Sequence, residues 1–332
     1  MNSQPSATSS AGRARAAQAI ADAPVMLADG GVETRLIYEF HRALPDFASF
    51  LPLFDEAGRR DLTALYRSYL AIATEFRLPM QVGTPTWRAH PEGLARQGFT
   101  APDDLARVNG EAVRFLIDMR REMGLDDLVV IAGVIGPRRD GYDPHGAPQA
   151  GAAQAYHAAQ AAVLAQAGVD LLYAPTFASV EELLGVARAM AATGLPYALA
   201  PVVDDQGLMP DGTPLNEAVP RIDAQASPAP VHWLIGCVHP TRLRTAHESP
   251  AWPAASSPRV VGLKANASSL PPEELDKLDH LEEGNPGRFA QEMLRLHRDF
   301  GLKVLGGCCG TDHRHIRAIA EGLTARMTEE MT

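Results

Sequence analysis

Eight short, β-rich runs recur along this chain, each apolar at most of its positions and none with a strict apolar–polar alternation. They are VMLADGG (25–31), PMQVGTPTW (79–87), LVVIAGVIGP (128–137), VDLLYAPTF (169–177), LPYALAPVV (195–203), HWLIGCVHP (232–240), RVVGLKANAS (259–268) and KVLGGCCGTD (303–312). A strand with one wet face alternates apolar and polar residues; an unbroken apolar run is the pattern of a parallel strand covered on both faces. Between most of the runs lie helical patterns. Residues 62–76 and 105–123 are amphipathic, with Pro102 placed for a first helical turn. Residues 152–167, 289–300 and 314–325 also read as helices. Ser179 with Glu182 forms a capping-box pattern ahead of LLGVARAMAA, and Gly194 supplies the stop. After the sixth run, TRLRTAHESPAWPAASSP allows only a short helix before a Pro/Ser-rich loop.

Strand and helix alternating eight times predict an α/β fold, a closed (β/α)8 TIM barrel in a single domain. The competing doubly wound sheet lacks a G-x-G-x-x-G after its first strand, and no internal linker marks a second domain. The barrel is expected over 23–326. Residues 1–22, rich in Ser and Ala, read as a disordered arm, and 327–332 as a tail. The arm has no apolar core of the kind a secretory signal needs, so a cytoplasmic location is expected. A net charge of −10 over 332 residues argues against nucleic acid or an anionic membrane as the main partner. No apolar run approaches a membrane span in length.

In such barrels chemistry sits at the C-terminal ends of the strands. Asp29 ends the first strand, Thr84 to Trp87 the second, Cys237 the sixth, Asn266 the seventh, and Cys308 with Cys309 the eighth. All three cysteines of the chain therefore fall on one rim. Neighbouring residues of a strand point to opposite faces, so two adjacent thiols converge only where the backbone leaves the pleat, which Gly306, Gly307 and Gly310 permit. Three cysteines exclude a disulfide framework and suit reduced thiols. Three cysteinates supply most of a tetrahedral zinc site and leave one position for a substrate thiol, whose pKa the metal would lower. The expected reaction of such a thiolate is attack on an activated methyl group. Other readings stay open: cysteines packed as small hydrophobes, a vicinal disulfide, or His239 as a fourth ligand that closes the site. His313 and His315 open the last helix and read as surface or supporting groups. In LADGGVETRL, Asp29 and Glu33 flank Gly30 and Gly31, whose amides can hold a carboxylate or merely make a turn. Trp87 either walls the pocket or packs beneath a loop, and Asn266 either donates to a polar substrate or caps a turn.

These residues resemble the homocysteine S-methyltransferase family, which includes the betaine- and S-methylmethionine-dependent enzymes and the homocysteine module of cobalamin-dependent methionine synthase. The resemblance runs from about Val25 to Gly322. Its most specific element is G-G-C-C-G-T at Gly306–Thr311 combined with the lone Cys237. Weaker matches are Asp29–Gly30, Gly-x-x-Gly-Pro at Gly133–Pro137, the Val-Asp-Leu-Leu run of the fourth strand, and Asn266. The resemblance implies the same barrel, with Zn2+ on Cys237, Cys308 and Cys309, homocysteine as the fourth ligand, and Asp29, Gly30, Gly31, Glu33, Thr84, Trp87 and Asn266 around the substrate. It implies an S-methyltransferase that moves a methyl group from a sulfonium or ammonium donor, S-methylmethionine favoured, to homocysteine, giving methionine. Trp87 and Tyr142 are expected to line the cationic donor's pocket, and homo-oligomerisation is left open.

The departures from the family pattern concentrate around the amino acid. Glu33 precedes Thr34 where a Gly-Thr pair is usual. Thr84-Pro85-Thr86 replaces Thr-Asn-Thr, Pro175 replaces the strand-four Glu that holds the homocysteine amine, and Gly236 replaces the Asn before the first cysteine. Pro175 has no group to accept an ammonium hydrogen bond through its side chain. Either Glu33 takes over that role or the acceptor is a different thiol. A non-catalytic closed zinc or redox site is the reading from another class.

Overall fold

A computed structural model describes residues 23–253, 258–270, 274 and 280–330; the arm expected over 1–22 lies outside the described residues. Eight parallel strands close into a barrel in sequence order. They are β1 Met26–Ala28, β2 Met80–Gly83, β3 Val129–Val134, β4 Leu171–Phe177, β5 Tyr197–Pro201, β6 His232–Val238, β7 Val260–Ala265 and β8 Val304–Gly307. Every expected strand lies within its apolar run, and β8 closes the ring by pairing with β1 at Met26↔Val304 and Leu27↔Leu305. The helices are α1 Glu33–Tyr38, α2 Glu56–Phe76, α3 Pro91–Arg96, α4 Asp104–Glu122, α5 Ala150–Ala167, α6 Val180–Ala191, α7 Leu215–Gln225, α8 Pro240–His247, α9 Pro286–Phe300 and α10 His313–Glu330. No helix among the described residues is long and apolar enough to cross a membrane.

Both faces of the sheet are covered, which is why the strands read as unbroken apolar runs. Met26, Val130, Leu171, Tyr173, Leu234 and Val304 fill the inside of the ring, and a larger layer including Trp233, Tyr66, Tyr69 and Phe177 packs between the strands and the helices. Fully burying one large apolar side chain stabilises by about 1.5–3 kcal/mol, so these two layers dominate the fold. Helix ends follow local chemistry. Asp55 caps α2 by accepting from the amides of Ala57 and Gly58, and Gly168, at φ 100°, ends α5. Helix α5 is alanine-rich because α6 lies close against it: a Cβ on Gly185 would stand 2.3 Å from the Cβ of Ala153.

Two details depart from the expectations. Ser179 is the residue before α6 but its side chain makes no cap bond. Glu182 is drawn inward instead, accepting from the Arg138 amide at 2.7 Å and facing His157 Nε2 at 3.0 Å, while Asp211 from a later loop accepts from the Val180 amide at 2.6 Å. A tertiary carboxylate has replaced the local box. Helix α10 also continues through Glu330, past the boundary expected at 326.

Candidate active site

Two irregularities side by side shape the rim. The β6–β7 register slips between Gly236 and Val238, and the β4–β5 register slips between Pro175 and Phe177. The residue inside each slip has a left-handed backbone, Cys237 at φ 54° and Thr176 at φ 63°. Positive φ costs a residue with a Cβ about 1–3 kcal/mol and collects where function holds it in place. The slips turn the two side chains toward each other, with Thr176 Oγ1 3.2 Å from Cys237 Sγ. Asn266 steadies this turn by donating from Nδ2 to the Cys237 carbonyl at 2.9 Å.

The GGCCGT loop curls back over itself. Thr311 lies beneath it, donating from Oγ1 to the Cys308 carbonyl at 2.8 Å. A Cβ on Gly307 would stand 2.0 Å from that Oγ1, and Gly310 adopts φ 78°. Those glycines let Cys308 and Cys309 leave the pleat. The three sulfurs consequently lie within 4.8 Å of one another, the one such group of three or more Cys, His, Asp or Glu among the described residues. Cys237 and Cys308 are paired as a disulfide here, with Cα atoms 5.5 Å apart; the bond joins the two strand ends and not the two neighbours in sequence. Reduced, this convergence is a soft three-thiolate donor set, the kind that zinc takes. His239 does not join it. The backbone turn at Cys237 breaks the two-residue periodicity that would have put both side chains on one face, and His239 Nδ1 instead faces Thr241 Oγ1 at 2.8 Å at the start of α8.

One cavity opens beside the sulfurs, and Asp29, Gly30, Gly31, Glu33, Thr84 and Trp87 all line it together with the three cysteines. Asn266 does not: it lines the neighbouring cavity with His239 and Arg242. Asp29 is 1% exposed and fully engaged, accepting from the Gly83 amide at 2.8 Å through Oδ2 and from Lys264 Nζ through Oδ1. Gly31 turns its amide to the Thr311 carbonyl and hydroxyl, at 3.2 and 3.1 Å. Thr84 Oγ1 accepts from the Val134 amide at 3.0 Å. Glu33 projects from the first turn of α1 and accepts from Ser49 Oγ at 2.7 Å. Burial pushes its pKa up, opposed by that hydrogen bond and by the charge of Lys264. Trp87 stands on the wall, donating from Nε1 to the Pro175 carbonyl at 3.2 Å, with the Arg88 guanidinium 4.0 Å from its ring centroid. Gly136 explains the Gly-x-x-Gly-Pro motif: a Cβ there would stand 2.4 Å from the Trp87 carbonyl.

Sequence reasoning missed Lys264, Tyr173, Thr176 and Phe47, which also line the cavity. A lysine inside the apolar run RVVGLKANAS was the available signal for the first.

A homocysteine S-methyltransferase family model matches residues 26–323. Among curated proteins, S-methylmethionine–homocysteine S-methyltransferase BHMT2 of Pongo abelii is 30% identical over 178 residues, 49% of this chain and 47% of that protein. Betaine–homocysteine S-methyltransferase 1 of Bos taurus is 31% identical over 179 residues, 49% and 42% of the two chains. The match thus spans about half the length of these relatives or less. Among solved structures, the homocysteine methyltransferase MmuM of Escherichia coli superposes in its oxidized form with a TM-score of 0.72 at 20% identity, over 91% of this chain and 97% of that one. Its metallated form gives 0.71 at 19%, over 92% and 98%. At those identities the superposition speaks for the barrel. The family model, which takes in β1, all three cysteines and most of α10, speaks for more: the chain belongs to the homocysteine S-methyltransferase family.

Proposed function

We propose that this protein is a zinc-dependent S-methyltransferase that transfers a methyl group from a sulfonium or ammonium donor, S-methylmethionine favoured, to the sulfur of homocysteine, giving methionine. The observation that carries the reading is the convergence of Cys237, Cys308 and Cys309 on the wall of one cavity at a barrel rim. Zinc held by these three thiolates would supply a Lewis-acidic position that lowers a substrate thiol's pKa toward neutrality. The new C–S bond then forms from the thiolate's electron pair, and the donor's C–S or C–N bond breaks with its pair left on the donor heteroatom. Charge cancels on the donor, so no general acid is needed. The cysteines fix the acceptor sulfur, and the aromatic side chains of Phe47, Trp87 and Tyr142 favour a cation in the same cavity. Reduced thiols suit a cytoplasmic setting.

Glu33 is the residue to receive the homocysteine ammonium in place of the acid absent at Pro175, since it lines the cavity with one oxygen already oriented by Ser49. A second reading, methyl transfer to another thiol, is favoured by the same Pro175 together with Gly236. The closed-site reading loses support with His239 turned to Thr241.

The test is metal stoichiometry in reducing buffer followed by a homocysteine titration of the Co(II)-substituted protein. About one metal per chain and a visible-spectrum change on adding homocysteine support the open three-thiolate site. A change with other thiols but not homocysteine supports the second reading. A tightly held metal whose spectrum ignores every thiol overturns both.

A further inference from the structure

Lys264 is the single Lys, Arg or His among the described residues lining the cavity beside the cysteines. Its neighbours in register are both glycines, Gly236 on β6 and Gly306 on β8. No side chain flanks it on either strand, so its four-carbon stem has room within the barrel, where it is 13% exposed. Its ammonium passes β8 to meet Asp29 on β1. Asp29 accepts one of its N–H groups and gives its other oxygen to the Gly83 amide. An ammonium carries three donors, and Asp29 is the one hydrogen-bond acceptor of Lys264 Nζ among the described residues. Donors remain, on a side chain that lines the cavity.

A second donor stands in the same cavity. Tyr173 on β4 is 2% exposed, and its hydroxyl has no hydrogen-bond partner. Burial, reinforced by the charge of Asp29, pushes the phenol's pKa well up, so the hydroxyl keeps its proton and is a donor. A buried polar group left unsatisfied is destabilising, and an acceptor entering the cavity would relieve it. Asp29 matches the charge of the ammonium, but the ammonium's remaining N–H groups and the phenol are donors without an acceptor, and a carboxylate supplies two acceptor oxygens. The Gly31 amide, already given to Thr311, does not compete for it.

We infer that Lys264 and Tyr173 together hold the carboxylate of the thiol substrate, so that a carboxylate is required of the acceptor. The inference rests on the thiol-site reading above but not on which methyl donor is used. Its consequence is a defined substrate class, small thiols bearing a carboxylate.

Three thiols separate the contributions: homocysteine, 3-mercaptopropionate (a carboxylate and no amine) and cysteamine (an amine and no carboxylate). Each is titrated into the Co(II)-substituted protein and followed by the visible spectrum. Homocysteine is expected to bind tightest, with cysteamine weaker than homocysteine by about 10-fold or more, the scale of a hydrogen bond to a charged group. Lys264→Met should raise the Kd of both carboxylate thiols about 10- to 100-fold and leave cysteamine unchanged, and Lys264→Arg should recover much of the loss. Because Lys264→Met also leaves Asp29 unpaired, Tyr173→Phe serves as the second variant. It removes only the unpartnered hydroxyl, so it should fold normally and weaken the carboxylate thiols several-fold. Equal weakening of all three thiols, or none in either variant, overturns the inference. A wild-type protein that binds all three equally overturns it while sparing the thiol-site reading, and one that binds no thiol overturns both.

Discussion

Removing one charge of the Lys264–Asp29 pair should cost far more than removing both. The two side chains are 13% and 1% exposed, so neither charge can recover its lost hydration in the folded state. Asp29→Asn keeps an oxygen for the Gly83 amide, which Oδ2 now holds at 2.8 Å. The perturbation is therefore almost purely electrostatic, with the Lys264 ammonium left facing a neutral amide. Coulomb attraction between unit charges about 4 Å apart at an effective dielectric of about 20 is about 4 kcal/mol. Breaking a buried pair from one side costs about 3–5 kcal/mol in practice. We expect about 3 kcal/mol for Asp29→Asn, a similar loss for Lys264→Met, and only about 1 kcal/mol for the double variant, a coupling of several kcal/mol. The assay is urea unfolding in reducing buffer, followed by tryptophan fluorescence and circular dichroism on all four proteins. The coupling should persist at high salt, because screening acts weakly on a buried pair. Single-variant costs that simply add, within about 0.5 kcal/mol, would show the pair to be solvated and would refute the reasoning.

Three further outcomes are expected. His232, buried on β6 with Nε2 unpartnered, has its pKa pushed down to about 4, by burial first and then by Arg259. The unfolded chain, with a histidine pKa of about 6.5, binds the proton more readily, so stability should fall as pH drops from about 6.5 toward 4. His232→Gln should flatten that slope in pH-dependent unfolding, and an unchanged slope would count against the assignment. Gly136→Ala puts a methyl 2.4 Å from the Trp87 carbonyl and 2.7 Å from its ring Cδ1. It should destabilise by about 1–3 kcal/mol and change the tryptophan emission, whereas an unaltered spectrum would mean the turn yields without moving the ring. Glu33→Gln should raise the KM for homocysteine by about 10-fold or more with a smaller change in kcat, as loss of a charge-assisted hydrogen bond implies; an unchanged KM removes Glu33 from the substrate site.

The barrel was legible because burial on both faces writes itself into sequence as unbroken apolar runs, and all eight runs contain the strands. The cysteine convergence was legible for a related reason: in a barrel closed in sequence order the ends of β6 and β8 are separated on the rim by β7 alone, whatever the cysteines' separation in the chain. What escaped was conformation that depends on partners distant in sequence. The Ser179–Glu182 pattern is a sound local cap, but His157 and the Arg138 amide hold Glu182 elsewhere. Lys264 hides in an apolar run because what makes it tolerable, Asp29 two strands away, is visible only once the ring is closed. Nothing in the letters around Thr176 or Cys237 announces a left-handed backbone, since neither residue favours one. Asn266 sits at the expected strand end yet serves Cys237's carbonyl and the adjoining cavity, because the register slip on β6 displaces the rim beside it.

The slip on β6 has a bearing on how this rim can be rebuilt. A Cβ on Gly236 would stand 3.2 Å from the Ala200 carbonyl oxygen on β5 and 3.4 Å from the Thr176 nitrogen on β4. The tighter of these contacts is with backbone, which cannot rotate aside as a side chain can. A side chain at 236 therefore asks β5 to yield by a few tenths of an ångström, so that a substitution beside Cys237 is felt first on the neighbouring strand.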